Sequence, residues 1–552
     1  MSAVLKTIQD RYTEEQIASF YDEGFWKSSS LNAVVQSHAL ERPDAPFIFD
    51  STTSYTYGEM AEGAVRLAAG LKRTGLERGD RIAVQLPNWT EFALVVAAAS
   101  RIGVIVVPIM PIYRDAEVSY VISHSGAVMA VTCGEFRGFD YVAMFDRLRP
   151  ECPELGQVFV ARADAGLAPA LGKPLDGLRV EGDLTDLEAE IGPDSSPDDA
   201  FLIVYTSGTT SRPKGCFHTF NTVRASAEAI AHSLDYGPSD VQFGPSPVGH
   251  GTGLITSFAL PLVTGASSYL MEVWEPEEAL RRIQQYGCTT AVTATAFLQM
   301  LMTAFDPAKH DASSLRRWVC AGAPIPSVVV EKSRQIFSGC QTLSLYGRTE
   351  NYLTTMCTVR DEPERSVNSD GSALRGAEVK IVDERGQEVP RGEEGDIAYR
   401  GPSHMIEYFR DDVETKALFT PDGFSKSGDL GRMDEDGYVR VTGRLKDIVI
   451  RGGMNISARE IEEHLLRMPG VSNVAVVGMP DERLGEKVCA YIVSEDPDNP
   501  PTLEEVIAHL KEHKVATQKL PERLEVVSEF PVTATGKIQK HVLRADIAEK
   551  VS

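Results

Sequence analysis

The sequence predicts an α/β fold: a large multi-layer N-terminal domain with mostly parallel sheets, then a small mobile α+β C-terminal domain. Three observations carry this. Strand-like and helix-like runs alternate through the first half, the pattern of sheets layered with helices. The strand-like runs are short and continuously apolar, as in FLIVY at 201–205, which fits burial on both faces. Near Gly443 the texture changes. Glycine and charge are dense from Gly423 to Gly453, and a fresh series of capped helices and strands follows.

The elements read in order. Thr56 and Glu59 form a capping box for a helix that ends near Gly70 and Gly75. Arg81–Leu86 reads as a strand, Glu91–Ile102 as a helix and Val104–Val107 as a strand. Residues 161–200, rich in Asp, Gly, Pro and Ala, read as a surface excursion. Ser457 and Glu460 make a second capping box, opening a helix Ala458–Met468. Strands at Asn473–Gly478 and Val488–Val493 follow, and Thr502 with Glu505 caps a helix Leu503–His513. The expected domains are 1–446 and 447–552, on a hinge around 444–447. There are no internal repeats.

Composition narrows the function. The chain has 552 residues and 55 basic against 79 acidic side chains, a net charge of −24. Such an acidic body is a poor partner for nucleic acid or an anionic membrane, though a local basic or amide-lined site can still hold an anion. The eight cysteines form no CxxC pair and no zinc or disulfide pattern, which fits reduced thiols and a cytoplasmic location. The N-terminus lacks the apolar core of a signal peptide. The most apolar stretch, Phe92–Tyr113, is broken by Arg101, Pro108 and Pro111, and reads as a buried helix and strand rather than a membrane span.

The strongest chemical signal is the loop YTSGTTSRPKG at 205–215, directly after the apolar strand. Thr206, Ser207, Gly208, Thr209 and Thr210 offer hydroxyl and backbone donors, and Lys214 adds a cation. This suits a polyphosphate. It is not a Walker A loop, because the order is Lys-Gly rather than Gly-Lys-Ser/Thr. An arbitrary Ser/Thr-rich turn would be a plain flexible loop; the specific string after a buried strand reverses that preference.

Five further motifs follow in order: AGAPIP at 321–326, YGRTE at 346–350, SGDLGRMDEDGYVRVTGRLKD at 427–447, RGGMNIS at 451–457 and PVTATGKIQK at 531–540. Together they resemble the adenylate-forming superfamily of acyl-CoA synthetases, luciferase-like enzymes and nonribosomal adenylation domains, over nearly the whole chain. The resemblance implies two half-reactions. A carboxylate attacks the α-phosphate of ATP to give an acyl-adenylate, and a thiol, usually coenzyme A, then displaces AMP. It also implies roles. Thr206–Thr210 and Lys214 would hold the β- and γ-phosphates; the family's usual glycine after Thr-Thr is Ser211 here. Glu350, with Thr206, would bind Mg²⁺, a hard cation suited to oxygen ligands. Thr349 would contact the α-phosphate. Tyr346 and Gly347 would meet adenine on one side, with Gly322, Ala323 and Pro324 on the other. Asp429 would take the ribose hydroxyls and Arg444 the ribose or phosphate. Arg348 is left between solvent and a phosphate.

The resemblance makes Lys537 the catalytic lysine, bridging the attacking carboxylate and the α-phosphate, while Lys540 reads as a surface charge. Lys446 falls at the hinge, and Gly452 and Gly453 would line the coenzyme A tunnel. His250, with Gly251 and Gly253, falls at the acyl pocket, next to the substrate carboxylate; a satisfied buried histidine is the equal alternative. Activators of dihydroxybenzoate-type acids carry Asn after this histidine, where this chain has Gly251. The helix Leu254–Val263 and the stretch Thr293–Met302 contain no Lys, Arg, Asp or Glu. A charged substrate tail would lack a partner there, so an uncharged medium-chain, alicyclic or simple aromatic acid is expected. PIMPIYRDAEVSYVI at 108–122, FRGFDY at 136–141 and DERLGEKVCAYIV at 481–493 are similar to bacterial medium-chain acyl-CoA and cyclohexanecarboxylate-CoA ligases. The alternative is a stand-alone enzyme loading a carrier-protein phosphopantetheine. The expected partners are the acid, ATP and coenzyme A, with a homodimer left open.

Overall fold

The computed structural model describes residues 5–163, 172–206, 213–322, 325–532 and 538–551, with the backbone alone at Asn455. Two large sheets form its body. In the eight-stranded sheet, Arg81–Gln85 lies between Ile105–Pro108 and Met129–Cys133, all parallel. Ala200–Tyr205 joins parallel to Ile105–Pro108, then pairs antiparallel with Gly215–Thr219, on which the short strand Glu407–Tyr408 is laid. In the nine-stranded sheet, Pro46–Phe49, Ser267–Leu270, Val241–Gly244, Thr290–Ala294, Arg317–Ala321 and Gln341–Tyr346 are parallel, with antiparallel strands only at the edges.

A helical layer fills the space between these sheets. Every residue of Thr90–Arg101 is buried, and the helix packs on strands of both sheets. A helix that is apolar nearly all round can only sit inside a core, so its composition dictates its place. Phe220–Leu234 shares the layer. So does the segment from Gly251 to Thr264, which corrects a sequence expectation. Its helix begins at Gly251, and Leu254–Ala259 is wound as a π-helix rather than an α-helix.

A third, antiparallel sheet follows, made of Glu378–Val382, Glu394–Arg400, Ser425–Met433 and Val439–Arg444. A 3₁₀ turn, Leu445–Asp447, then leads to a five-stranded sheet built on Val471–Asp481 and Gly485–Ser494. Alternation works strictly there. Val474 and Val476 enter one apolar cluster, while Ala475 and Val477 enter another on the opposite face. Helices Ala458–Leu465 and Leu503–Glu512 belong to the first cluster, and Lys540–Val551 to the second.

Most capping signals hold. Thr56 and Glu59 close a reciprocal box on the helix Tyr57–Arg73, and Thr502 with Glu505 does the same on Leu503–Glu512. At Ser457 only half of the box forms. Its hydroxyl accepts from the Glu460 amide, but the Glu460 carboxylate is taken by Lys519. That helix stops at Leu465 rather than Met468. The stretch read as a surface excursion holds a 3₁₀ turn, Leu175–Leu178, and a helix, Leu184–Ile191, both packed on Tyr57–Arg73. All eight cysteines are buried and free. Among the described residues, no helix is long and apolar enough to cross a membrane.

The contact between Tyr57–Arg73 and Leu178 is close enough to test. A Cβ at Gly70 would lie 1.7 Å from the Leu178 carbonyl oxygen. Gly70→Ala gains about 1 kcal/mol of helix propensity but incurs an overpacking cost of about 1–3 kcal/mol. A lower urea midpoint is expected; a raised one would show that the neighbouring turn yields freely.

Candidate functional site

Segments that leave the carboxyl ends of parallel strands converge on one cavity, the place where open α/β sheets bind ligands. Thr206 follows Ala200–Tyr205, His250 follows Val241–Gly244, Gly322 follows Arg317–Ala321, and Gly347–Glu350 follows Gln341–Tyr346. All line a cavity of about 480 Å³, which Ser427–Asp429, Arg444–Asp447, Ile538 and Lys540 close from the other side. A second cavity of about 260 Å³ adjoins it and shares Gly322, Gly347, Asp429 and Arg444; Tyr346 lines this one.

Asp429 stands at the junction. Its strand pairs with Val439–Arg444 in a register that puts Asp429 opposite Arg444. Arg444 Nε donates to Asp429 Oδ1 at 2.8 Å, and the Tyr346 hydroxyl donates to Oδ2 at 2.7 Å. Burial, and then the Asp429 charge, push the Tyr346 phenol well above its ordinary range. Asp429 likewise holds the Arg444 guanidinium above its usual value. The loop after Tyr346 is wound tightly. A Cβ at Gly347 would lie 1.9 Å from the Tyr352 carbonyl oxygen, so glycine alone fits.

Thr206 closes the neck of the 206–214 loop. Its amide donates to the Lys214 carbonyl at 2.9 Å and its hydroxyl accepts from the Lys214 amide at 3.1 Å. The Lys214 ammonium pairs with Glu414 and lies 4.8 Å from the centre of the Tyr408 ring. The Tyr408 hydroxyl donates to Glu350 Oε1. Arg348, left between two roles by sequence, is turned inward and donates to the carbonyls of Lys426 (2.6 Å) and Ser425. Burial alone would lower its pKa, but Glu350 and its neighbours raise it overall.

His218 lies beneath the motif at 346–350. Its Nε2 is 2.9 Å from the Thr349 carbonyl and its Nδ1 is 3.1 Å from the Thr222 hydroxyl. Burial drives its pKa down to about 3, so the ring is neutral. A carbonyl can only accept, so the proton sits on Nε2 and Nδ1 accepts from Thr222. The ring lies 4.4 Å from that of Tyr352.

Part of the cavity lining is apolar apart from His250 and hydroxyls. Ile230, Ile255, Val292 and Leu353 form it with Thr252, Thr256 and Tyr352. His250 Nδ1 accepts from the Thr252 amide at 3.2 Å, capping the short helix Gly251–Gly253. The Tyr352 ring crosses close to Gly251, where an added Cβ would meet it at 3.2 Å. The π-helix supplies Ile255 and Thr256, in keeping with the frequent occurrence of π-turns at sites of function.

The far wall carries charge. Lys540, expected to be a surface charge, instead lines both cavities and pairs with Glu462 at 2.7 Å. Arg544 pairs with Asp447 at 2.7 Å. Burial would raise Asp447, but Lys540 and Arg544 hold its carboxyl low. Lys446 faces the same cavity, and burial lowers its pKa. Gly452 and Gly453 line neither cavity; they form the turn of the Val449–Ile456 hairpin. A partly buried charge cluster ties the two sides. Arg459 Nε donates to Glu463 Oε1 at 3.1 Å, Arg440 donates to the same oxygen at 2.5 Å, and Asp370 lies 3.6 Å from Arg459.

The structure thus brings together Thr206, Lys214, His250, Gly251, Gly322, Tyr346, Gly347, Thr349, Glu350, Asp429, Arg444 and Lys446. Gly253 stays behind the wall, packed on the Pro247 carbonyl. Ser207, Gly208, Thr209, Thr210, Ala323, Pro324 and Lys537 lie outside the described residues. Sequence reasoning missed Tyr352, two residues beyond a named motif. It also missed Tyr408, Glu414, His218 and the Asp370–Arg459 cluster, which have no local signal.

The sequence profile described as AMP-binding enzyme matches residues 35–409, and that of the AMP-binding enzyme C-terminal domain matches residues 460–537. The chain belongs to the AMP-binding enzyme family. It is 36% identical to the medium-chain fatty-acid–CoA ligase of Escherichia coli K12, over 98% of this chain and 94% of that protein. It is 29% identical to the 2,3-dihydroxybenzoate-AMP ligase of Bacillus subtilis 168, over 98% of each. Among solved structures it resembles ATP-bound MatB of Rhodopseudomonas palustris, with a TM-score of 0.81 and 27% identity over 95% of this chain and 100% of that one. The protein is an adenylate-forming acid ligase of the AMP-forming, acid–thiol class, and such enzymes use ATP, Mg²⁺ and coenzyme A. The side chains suit Mg²⁺. Among the residues lining the cavity, Glu350 supplies a carboxylate and Thr206 a hydroxyl, hard oxygen donors of the kind that Mg²⁺ takes together with water and phosphate oxygens.

The buried histidines predict an acid limit to stability. Burial lowers the folded-state pKa of both His218 and His404. Below about pH 6.5 the unfolded chain therefore takes up protons that the native state refuses. Their stabilising contribution is complete above that pH and is lost as pH falls below it, for His218 down to about pH 3, by roughly 1.4 kcal/mol per pH unit for each group. Urea midpoints at pH 5 and 7.5 are expected to differ accordingly, and His218→Gln to reduce the difference; equal slopes in both proteins would contradict the assignment.

Proposed function

We propose that this protein is an ATP-dependent carboxylic acid–CoA ligase acting through an acyl-adenylate on an uncharged medium-chain, alicyclic or simple aromatic acid. One observation carries the choice of acid: Ile230, Ile255, Val292 and Leu353, with the hydroxyls of Thr252, Thr256 and Tyr352, give the cavity an uncharged stretch of lining, which we take as the acyl arm. The charged residues of the cavity all belong to the nucleotide side or the closing wall. A second carboxylate in the apolar arm would be desolvated without a partner.

The chemistry requires an anion to approach an anion, so the residues must offset charge and hold the groups in line. Asp429 and Arg444 hold the ribose, and Tyr346 with Gly322 flanks adenine. Thr349 donates its hydroxyl to the α-phosphate. Lys214 exchanges Glu414 for the outer phosphates as ATP enters. Glu350 and Thr206 would hold Mg²⁺, which draws charge from the phosphate oxygens when bound. His250 faces the carboxylate. The carboxylate oxygen bonds to the α-phosphorus as the bond to the pyrophosphate oxygen breaks, with Lys537 bridging the two anions. In the second step the thiolate sulfur of coenzyme A bonds to the acyl carbon and AMP departs. We assign residues 447–552 as the unit that turns about Lys446 between the steps, and Gly452 and Gly453 as its coenzyme A face. Their position away from the cavity fits a structure arranged for the first step.

Pyrophosphate release with ATP and Mg²⁺ tests this over straight-chain acids, cyclohexanecarboxylate, benzoate and a dicarboxylate, each with and without coenzyme A. Sustained turnover only with coenzyme A is expected, with an uncharged acid preferred. One pyrophosphate per site regardless of coenzyme A would point to a carrier-bound thiol instead, and a preferred dicarboxylate would refute the assignment of the pocket. Lys537→Ala is expected to lose adenylation by a factor of about 10² or more while keeping thioester formation from supplied acyl-adenylate. Equal loss of both steps would remove Lys537 from its role.

A further inference from the structure

Tyr408 touches two groups assigned above to the reaction and belongs to none of the motifs read from sequence. It lies in Met405–Phe409, a strap that stitches two separate site segments together. Tyr408 pairs opposite Cys216, two residues after Lys214, and the Phe409 amide donates to the Gly215 carbonyl at 2.7 Å. At the other end, the Met405 amide donates to the Glu350 carbonyl at 2.7 Å. Glu350 is therefore gripped twice, at its backbone by Met405 and at its carboxylate Oε1 by the Tyr408 hydroxyl. The face of the same ring carries the Lys214 ammonium.

The side chain itself is fixed. Tyr408 is buried in a small cluster with Cys216 and Met405, against which Leu418 packs, and its own amide is held by the Thr415 hydroxyl at 2.9 Å. A phenol is protonated at neutral pH and a carboxylate can only accept, so the Tyr408 hydroxyl is the donor in this pair. A donor on Oε1 restrains rotation of the carboxylate of Glu350, a residue that lines the cavity, and engages one of its two oxygens. A ring face under Lys214 limits where the ammonium can travel when it leaves Glu414.

Given the assignment of Glu350 and Lys214 above, on which this depends, we infer that Tyr408 is a positioning residue for the metal–nucleotide site: its hydroxyl presents Glu350 to the divalent cation through one oxygen, and its ring keeps Lys214 beside the outer phosphates. It acts through these two side chains and touches no reacting atom. The hydroxyl and the ring are separable by substitution. Groups that orient a metal ligand in this way typically change metal affinity by 10–100-fold when lost.

The experiment measures binding rather than turnover. Mn²⁺ affinity is read by water-proton relaxation on the full-length enzyme with α,β-methylene-ATP, which cannot adenylate an acid because its α–β bridge does not cleave. Tyr408→Phe keeps the ring and is expected to weaken Mn²⁺ by about tenfold, with nucleotide affinity in the absence of metal unchanged. p-Aminophenylalanine at position 408 restores a donor of similar reach and is expected to recover most of the loss; a purely packing role would not separate these two variants. Equal Mn²⁺ affinity in Tyr408→Phe and wild type would overturn the inference while leaving the nucleotide site intact. Failure of wild type to bind Mn²⁺ with the nucleotide would instead overturn the assignment of the site, and this inference with it. If Tyr408→Phe melts well below wild type, the p-aminophenylalanine enzyme decides alone, with a tenfold loss in a stable protein counting against the hydroxyl's role.

Discussion

The Asp429 carboxylate is the point on which the site depends. It is a buried charge, and a buried charge must be paired and hydrogen-bonded or it destabilises the fold. Tyr346 answers it from the nine-stranded sheet and Arg444 from the last strand before the turn to the C-terminal region. Two separately built sheets meet there with a fixed geometry. The ribose assigned to this carboxylate must share it with both donors, so the nucleotide joins an existing hydrogen-bond network rather than an exposed charge.

Around that point the layers serve distinct purposes. Parallel sheets covered on both faces give stiff strands whose carboxyl ends cannot drift, and the segments leaving them inherit that precision. The antiparallel third sheet contributes by register, since opposite residues in neighbouring strands are necessarily close. The strap at Met405–Phe409 contributes by lacing, because its amides and one phenol join segments that no sheet connects. Rigidity around Asp429 and Glu350 therefore comes from backbone pairing, whereas the lining at Ile230, Ile255 and Val292 is shaped by side-chain volume and by the π-turn.

The fold class, the alternating elements and most helix starts were legible because they are local. A capping box spans four residues, and an apolar strand declares itself in five. The site was legible wherever a motif holds its residues contiguous, as in the strings at 346–350 and 427–447. Residues that act across the fold were not. Tyr408 meets Glu350, and Arg459 meets Asp370, only through the way the strands are ordered. Lys540 reads as an ordinary surface lysine until helix Ala458–Leu465 brings Glu462 to it. The π-turn was hidden because an apolar run has the same composition whether it winds with 3.6 residues per turn or more.

The C-terminal sheet keeps its apolar side chains to itself. Its two clusters contain residues from Val449 onward alone, and among the described residues no apolar cluster mixes the chain before and after Asp447. What joins the two sides is charge and hydrogen bond: Arg459 with Glu463 and Asp370, Arg440 with Glu463, and Ser457 with the Thr442 carbonyl at 2.5 Å. The seam is of a kind that water can replace. Separating an oily interface exposes hydrocarbon and raises the free energy with every square ångström uncovered, but parting this one exchanges protein partners for solvent ones. The contact is thus of the kind by which one protein docks on another in a short-lived complex, and the turn proposed for residues 447–552 would part no shared apolar cluster among the described residues.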